Sequence, residues 1–191
     1  MSEHRNGPVR SAAARDAILD ATARLLAKQG YDNLTMEGIA KEAGVGKQTI
    51  YRWWPSRGAL ITDCMSEGRL MPIEIEIPDT GHLRADLNVW LESVIAVVSD
   101  PGGAALLRSL VAAAAEDGAV GDRLAEMLGM DQALSLRFAS AVRMDQLSED
   151  APVDLLGLAI VGAIIVPVLA RRPISPDELR RLLDHLVRPA G

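Results

Sequence analysis

The stretch LTMEGIAKEAGVGKQTIYRWWPSRGAL, residues 34–60, limits what this chain can fold into more than any other. Met36 to Ala43 reads as a short helix with Ile39 and the small Ala40 facing inward. Gly44 can take the left-handed backbone conformation that ends such a helix. Val45 plugs the corner, and Lys47 to Trp54 reads as a second helix. Pro55 stops it, and Ser56 caps a third. Two short helices joined by a glycine turn have the layout of a helix-turn-helix. In that motif the second helix enters the DNA major groove and the first crosses the backbone.

The second helix has two chemically distinct sides. At about 100° per residue, Lys47, Tyr51, Gln48 and Arg52 fall within one arc of roughly 140°, while Ile50 and Trp53 lie opposite. Gln can pair with adenine and Lys or Arg with guanine, while Tyr can meet a phosphate or a thymine methyl. Thr35 and Arg57 flank this front as expected phosphate contacts, which set register but carry no sequence information.

A net charge of −6 looks unsuited to a polyanionic partner until it is divided. Residues 1–57 hold nine Lys and Arg against six Asp and Glu, a balance of +3, and the other 134 residues carry −9. Positive charge therefore collects around the helix-turn-helix. Only 3% of residues are aromatic against 49% apolar, so the core must be aliphatic, and an all-α fold is expected. One cysteine, Cys64, and no apolar leader at the start fit a cytoplasmic protein.

Along the chain, residues 1–9 read as a polar tail, with Arg5 and Arg10 as either a groove-reaching arm or a solvated end. Ser11 to Gln29 is helical, with Ala14, Ile18, Ala21 and Leu25 marking the inward face. A connecting helix is expected over 57–70, after a DNA-binding domain over 1–56. Residues 71–81 alternate Ile with Glu, but a lone strand between prolines has no partner, so an extended linker is expected. The second domain, 71–191, should hold helices over about 80–99, 101–116 and 119–147, with Gly129 a candidate break. Leu155 to Ala170 follows without a charge, and Pro176 to Val187 closes the chain. Sixteen residues are too few to cross a bilayer, so no membrane partner is expected. A helix apolar all round must be covered all round. Its own domain covers one side, and a second copy is expected to cover the other, through Leu158, Ala159, Gly162, Ala163 and Val166, with Leu179, Leu182, Leu183 and Leu186 of the final helix.

The 34–60 stretch resembles the N-terminal signature of the TetR (tetracycline repressor-like) family of bacterial regulators. Thr35, Ile39-Ala40, Ala43-Gly44-Val45, Thr49, Tyr51, Pro55-Ser56 and Ala59-Leu60 carry the resemblance, which covers the first third of the chain. It implies an all-α homodimer of about nine helices that binds double-stranded operator DNA, with C-terminal domains that dimerise and hold an effector pocket. Position by position it implies DNA contacts at Thr35, Lys47, Gln48, Thr49, Tyr51, Arg52, Trp53 and Arg57. Trp53 stands where histidine is frequent, Trp54 where phenylalanine or another apolar residue is usual, and Arg57 where lysine is common. Trp53 is thus either a contact or core.

Function is expected to be that of a repressor released by a small hydrophobic effector. A DNA-binding activator or architectural protein without an effector is the alternative. Trp90, Met127, Met130, Phe138 and Met144 either line the effector pocket or simply fill the core. No nucleophile–base pairing, phosphate loop or metal-ligand spacing is present, so neither enzymatic activity nor a cofactor is expected.

Overall fold

Local signals start most of the helices where the sequence places them. The computed structural model describes residues 7–70, 76–129 and 132–187. These residues form ten helices and no strand. The first four are α1 (Gly7–Gln29), α2 (Met36–Ala43), α3 (Lys47–Tyr51) and α4 (Arg57–Ser66). The next three are α5 (Leu83–Ser99), α6 (Pro101–Glu116) and α7 (Gly118–Met127), followed by α8 (Ala133–Arg143), α9 (Val153–Leu169) and α10 (Pro176–Leu186). Thr35, Ser56 and Ser175 each accept a backbone N–H three residues on, at 3.0, 3.0 and 3.3 Å. Each such cap contributes about 1 kcal/mol. Gly129, at φ 71°, separates α7 from α8 and raises the helix count above the expected nine.

Two compact units divide the chain. One comprises Met1–Pro72 with Ser109–Arg123, the other Ile73–Arg108 with Leu124–Gly191. In the first, α1 packs on α2 and α4, and α2 on α3. Helix α1 already includes residues 7–9, which the sequence assigns to a tail; Arg5 lies outside the described residues. Its buried side is Ile18, Leu19, Ala21, Thr22 and Leu26, rotated slightly from the expected face, so that Ala14 and Leu25 are only half-buried. Cys64 is enclosed in this core, and burial pushes its thiol up to about 12, so it persists as a neutral S–H 3.6 Å from the Leu19 carbonyl.

In the second unit α5 packs on α8 and α10, and α9 on α8 and α10. Trp90 and Phe138 are fully enclosed within it. Where α5 turns into α6, Asp100 accepts the Gly103 N–H at 2.8 Å. A side chain at Gly103 would bring Cβ to 2.2 Å from the Val97 carbonyl oxygen, a backbone atom that cannot step aside. Gly103→Ala is therefore expected to lower stability by about 3 kcal/mol, as overpacking does. A fall in the urea midpoint at unchanged slope checks this. Residues 71–75 of the expected linker lie outside the described residues, and 76–79 have no regular structure. Among the described residues no single helix is long and apolar enough to cross a membrane.

Candidate nucleic-acid interface

Helix α3 is held by its back. Gly44 adopts φ 68°, and the Val45 N–H donates to the Ala40 carbonyl at 3.0 Å, which closes the turn between α2 and α3. Ile50 and Trp54 are buried behind α3. The Trp54 indole N–H donates to Asp63 at 2.8 Å, and the Arg15 guanidinium lies 5.8 Å from its ring centre. Helix α3 itself ends at Tyr51 rather than Trp54, but hydrogen bonds from Arg52 N to Gln48 O and from Trp54 N to Ile50 O carry the turn onward.

On the opposite side Lys47, Gln48, Tyr51 and Arg52 are all exposed, Tyr51 by 44%. Their backbone is fixed while their polar ends are free to reorient, as groove reading requires. Lys47 pairs with Glu37 of α2 and sits 5.6 Å from the Tyr51 ring centre. That hydrogen bond holds the Glu37 carboxyl below its ordinary value. Both partners are exposed, so the pair is readily exchanged for a phosphate or base. Thr35 is exposed too; its oxygen accepts the Gly38 N–H, which leaves the hydroxyl proton to donate outward. Thr49 is half-buried. Trp53 is neither core nor free: half-buried, it stands edge-on to Trp54 at 5.4 Å, with the Arg52 guanidinium 5.5 Å from its centre.

Arg57, expected at a phosphate, is engaged within its own unit. Its Nη1 donates to the carbonyls of Tyr31 and Leu34 at 3.3 and 3.1 Å, and its Nη2 to Glu116 at 2.7 Å. The guanidinium lies 4.0 Å from the Tyr31 ring centre, and the Tyr31 hydroxyl donates to the same Glu116 oxygen at 2.9 Å. Three of the five N–H donors of the fork are thus engaged inside this unit, which makes Arg57 a clasp between the α1–α2 turn, α4 and the end of α6. Hydrogen bonds from Arg57 and Tyr31 hold the Glu116 carboxyl below the ordinary glutamate range. Its contribution is present above the unfolded value and is lost as pH falls through the lower folded one. Arg57→Met is expected to cost about 1–2 kcal/mol of stability, from lost charge-assisted hydrogen bonds. The salt dependence of DNA binding should stay unchanged, whereas loss of a phosphate contact would lower its slope by about one.

The second unit separates the remaining expected site residues. Trp90 and Phe138 lie inside it and Met127 is half-buried, but Met144 is 52% exposed beside Gly81. Met130 lies outside the described residues. On α9 the exposed residues Leu155, Leu158, Ala159, Val166 and Leu169 recur at helical spacing along one face, with Leu158 at 51% and Val166 at 63%. Gly162 lies between them with open space around its Cβ position, and Ala163 is half-buried. Leu179 and Leu183 of α10 are instead buried in their own unit, because α10 turns that stripe onto α5 and α9; Leu182 and Leu186 are half-buried. Sequence reasoning missed Asp86 and Arg137, a buried ion pair with Nη2 2.8 Å from Oδ2. The signal was available: each is a charge placed within an apolar stripe, Asp86 beside Leu83, Leu87 and Trp90, and Arg137 beside Leu134, Phe138 and Ala141.

An all-helical chain with a rigidly backed helix-turn-helix, presenting Lys, Gln, Tyr and Arg, defines a DNA-binding transcriptional regulator. Residues 18–64 match the family described as bacterial regulatory proteins, tetR family, and residues 77–186 match the tetracyclin repressor-like C-terminal domain. The chain belongs to the TetR family, whose members regulate transcription and are not enzymes. An uncharacterized HTH-type transcriptional regulator of Mycobacterium tuberculosis is 28% identical over 176 residues, spanning 91% of this chain and 85% of the relative. A DNA-binding transcriptional repressor TetR of Mycobacteroides abscessus is 36% identical over 81 residues, 42% of this chain and 40% of its own length. The crystal structure of the TetR family transcription regulator SCO0332 superposes with a TM-score of 0.67 at 29% identity, covering 91% of this chain and 96% of that one.

Proposed function

We propose that this regulator is a repressor that binds a pseudo-palindromic operator as a homodimer and is released by a small, largely apolar effector. The exposed arc Lys47, Gln48, Tyr51 and Arg52, set on a helix whose back is locked by Ile50 and Trp54, carries this reading. Thr35, Thr49 and Trp53 border the arc; Arg57, engaged by Tyr31, Leu34 and Glu116, is assigned to holding the unit together. Residues 1–56 act as the DNA-binding domain, 57–70 as the connecting helix and 71–191 as the effector and dimerisation domain, with Ser109–Arg123 packed in the first unit. The uncovered apolar face of α9, from Leu155 to Leu169, supports pairing with a second copy, because water-exposed leucine and valine in one row favour burial. Repression is supported by the likeness to the Mycobacteroides abscessus repressor.

Selection of bound DNA from a random pool tests the first half. Two inverted half-sites spaced by about one helical turn, or a multiple, are expected. A single unpaired half-site would remove the dimer. For the second half, a tenfold loss of operator affinity needs about 1.4 kcal/mol of differential effector binding. A regulator whose DNA affinity no apolar compound changes would be an activator or architectural protein instead.

A further inference from the structure

The second unit holds a groove of about 450 Å³ where the α5–α6 corner meets the end of α9. Arg108, Arg171 and Arg172 line it together with Val98, Val168 and Ile174, and among the described residues no carboxylate does. Arg84, Arg137 and Arg180 of the same unit are each paired with an aspartate or glutamate. Three guanidiniums gathered without one run against the balance of −9 over residues 58–191.

The turn that carries two of them is built in an uncommon way. Helix α9 ends in a Schellman arrangement: the Arg171 N–H donates to the Val168 carbonyl at 3.1 Å and the Arg172 N–H to the Pro167 carbonyl at 2.9 Å. That closure needs a left-handed residue after the cap, and Arg171 supplies it at φ 54°. Glycine is the usual occupant, because a Cβ is strained there. Here the strained position carries a side chain that lines the groove. Arg108 Nη1 donates to the same Val168 carbonyl at 3.5 Å, which ties the third arginine to the turn. The carbonyl end of α9 offsets only about half a charge of the three.

We propose that this groove binds an organic phosphate, a phosphoryl dianion carried on a small apolar body. Its volume lies within the range of small-molecule sites, about 300–1,000 Å³. A phosphoryl group brings three acceptor oxygens and close to two negative charges at neutral pH, more than a carboxylate offers three cations. Guanidinium forks bind phosphate through parallel pairs of hydrogen bonds. Val98, Val168 and Ile174 give the ester group an apolar wall. The groove also lies off the side of α9 assigned to a second copy. Val168 is buried, and two residues at about 100° each separate it from the exposed Val166. The site asks nothing of the apolar effector, so the two readings stand or fall separately.

Phenyl phosphate, inorganic phosphate and benzoate, each titrated calorimetrically into the full-length protein, test this. Phenyl phosphate is expected to bind about tenfold tighter than inorganic phosphate, through apolar burial, and than benzoate, through added charge-assisted hydrogen bonds. Arg171→Gly puts glycine where the backbone favours it, so the urea midpoint should hold or rise. Phenyl phosphate affinity should nonetheless fall about tenfold, as for a lost charge-assisted hydrogen bond. A merely structural role for Arg171 predicts no such fall. Benzoate binding as tightly as phenyl phosphate removes the phosphate, and inorganic phosphate doing so removes the apolar body; either overturns the proposal. So does a failure of all three to bind, or an affinity that Arg171→Gly leaves unchanged. A shifted oligomeric state in Arg171→Gly with phenyl phosphate binding intact assigns the arginines to subunit pairing and overturns it too. Adsorption to phosphatidate vesicles without binding of soluble phenyl phosphate assigns them to a lipid surface, with the same consequence.

Discussion

Tyr51→Ala and Lys47→Ala are each expected to weaken operator binding about a hundredfold, within the range for losing a groove contact. The fold should be untouched. Both side chains are exposed on the front of α3, while the contacts that fix the helix come from Ile50, Trp54 and the turn at Gly44. Helical circular dichroism and the urea midpoint should therefore match the parent protein. Fluorescence anisotropy with labelled operator at two salt concentrations separates the two variants. Lys47→Ala also removes a charge, so its slope against log salt should fall by up to about one if Lys47 neutralises a phosphate. Tyr51→Ala should leave that slope alone. Unchanged affinity in both variants at physiological salt would remove α3 as the reading element.

Asp86→Ala should be the most damaging single change to stability. It leaves Arg137 as an uncompensated charge in a position only 3% accessible, a situation that costs about 3–5 kcal/mol. Replacing both partners together, Asp86→Leu with Arg137→Met, should recover most of that loss, because no buried charge then remains. Urea denaturation of the two variants and the parent measures the difference. If the single and double variants unfold together, the pair is not the reason for the loss. Acid should act in the same direction as Asp86→Ala. Burial alone would raise the Asp86 carboxyl, but hydrogen bonds from Thr80 and Arg137 outweigh it and hold the group below the ordinary aspartate range. The pair's contribution is complete above the unfolded value and declines as pH falls through the lower folded one.

Most of the helix order is legible in the sequence because its signals are local. Thr35, Ser56, Asp100-Pro101 and Ser175-Pro176 each announce a helix start, and the helices begin there. Gly129 marks a break that periodicity alone would have crossed. The front of α3 follows from a single helical projection. What could not be read depends on contacts far along the chain. Arg57 looks like a flanking cation until Glu116, 59 residues later, takes its free nitrogen. Leu179 and Leu183 form a stripe that suits a partner helix equally well inside or outside the subunit, and only the placement of α10 against α5 and α9 decides. Met144 follows an apolar helix but falls beyond its last turn, where the chain has already come to the surface. Asp86 and Arg137 are 51 residues apart, and neither alone suggests the other.

The clasp at Arg57 sets a condition on how such regulators can be recombined. The unit that carries the reading helix is not one continuous stretch, because it includes Ser109–Arg123. A chimera joined at Pro72 to a foreign body would leave Arg57 and Tyr31 facing whatever residue replaces Glu116. Gly58 narrows the choice further: a Cβ there would lie 1.9 Å from Asp117, so its neighbour from the later segment must fit a glycine surface. Heads and bodies of this kind are exchanged with least loss when the later segment travels with the head, so the interchangeable cassette is discontinuous in the gene.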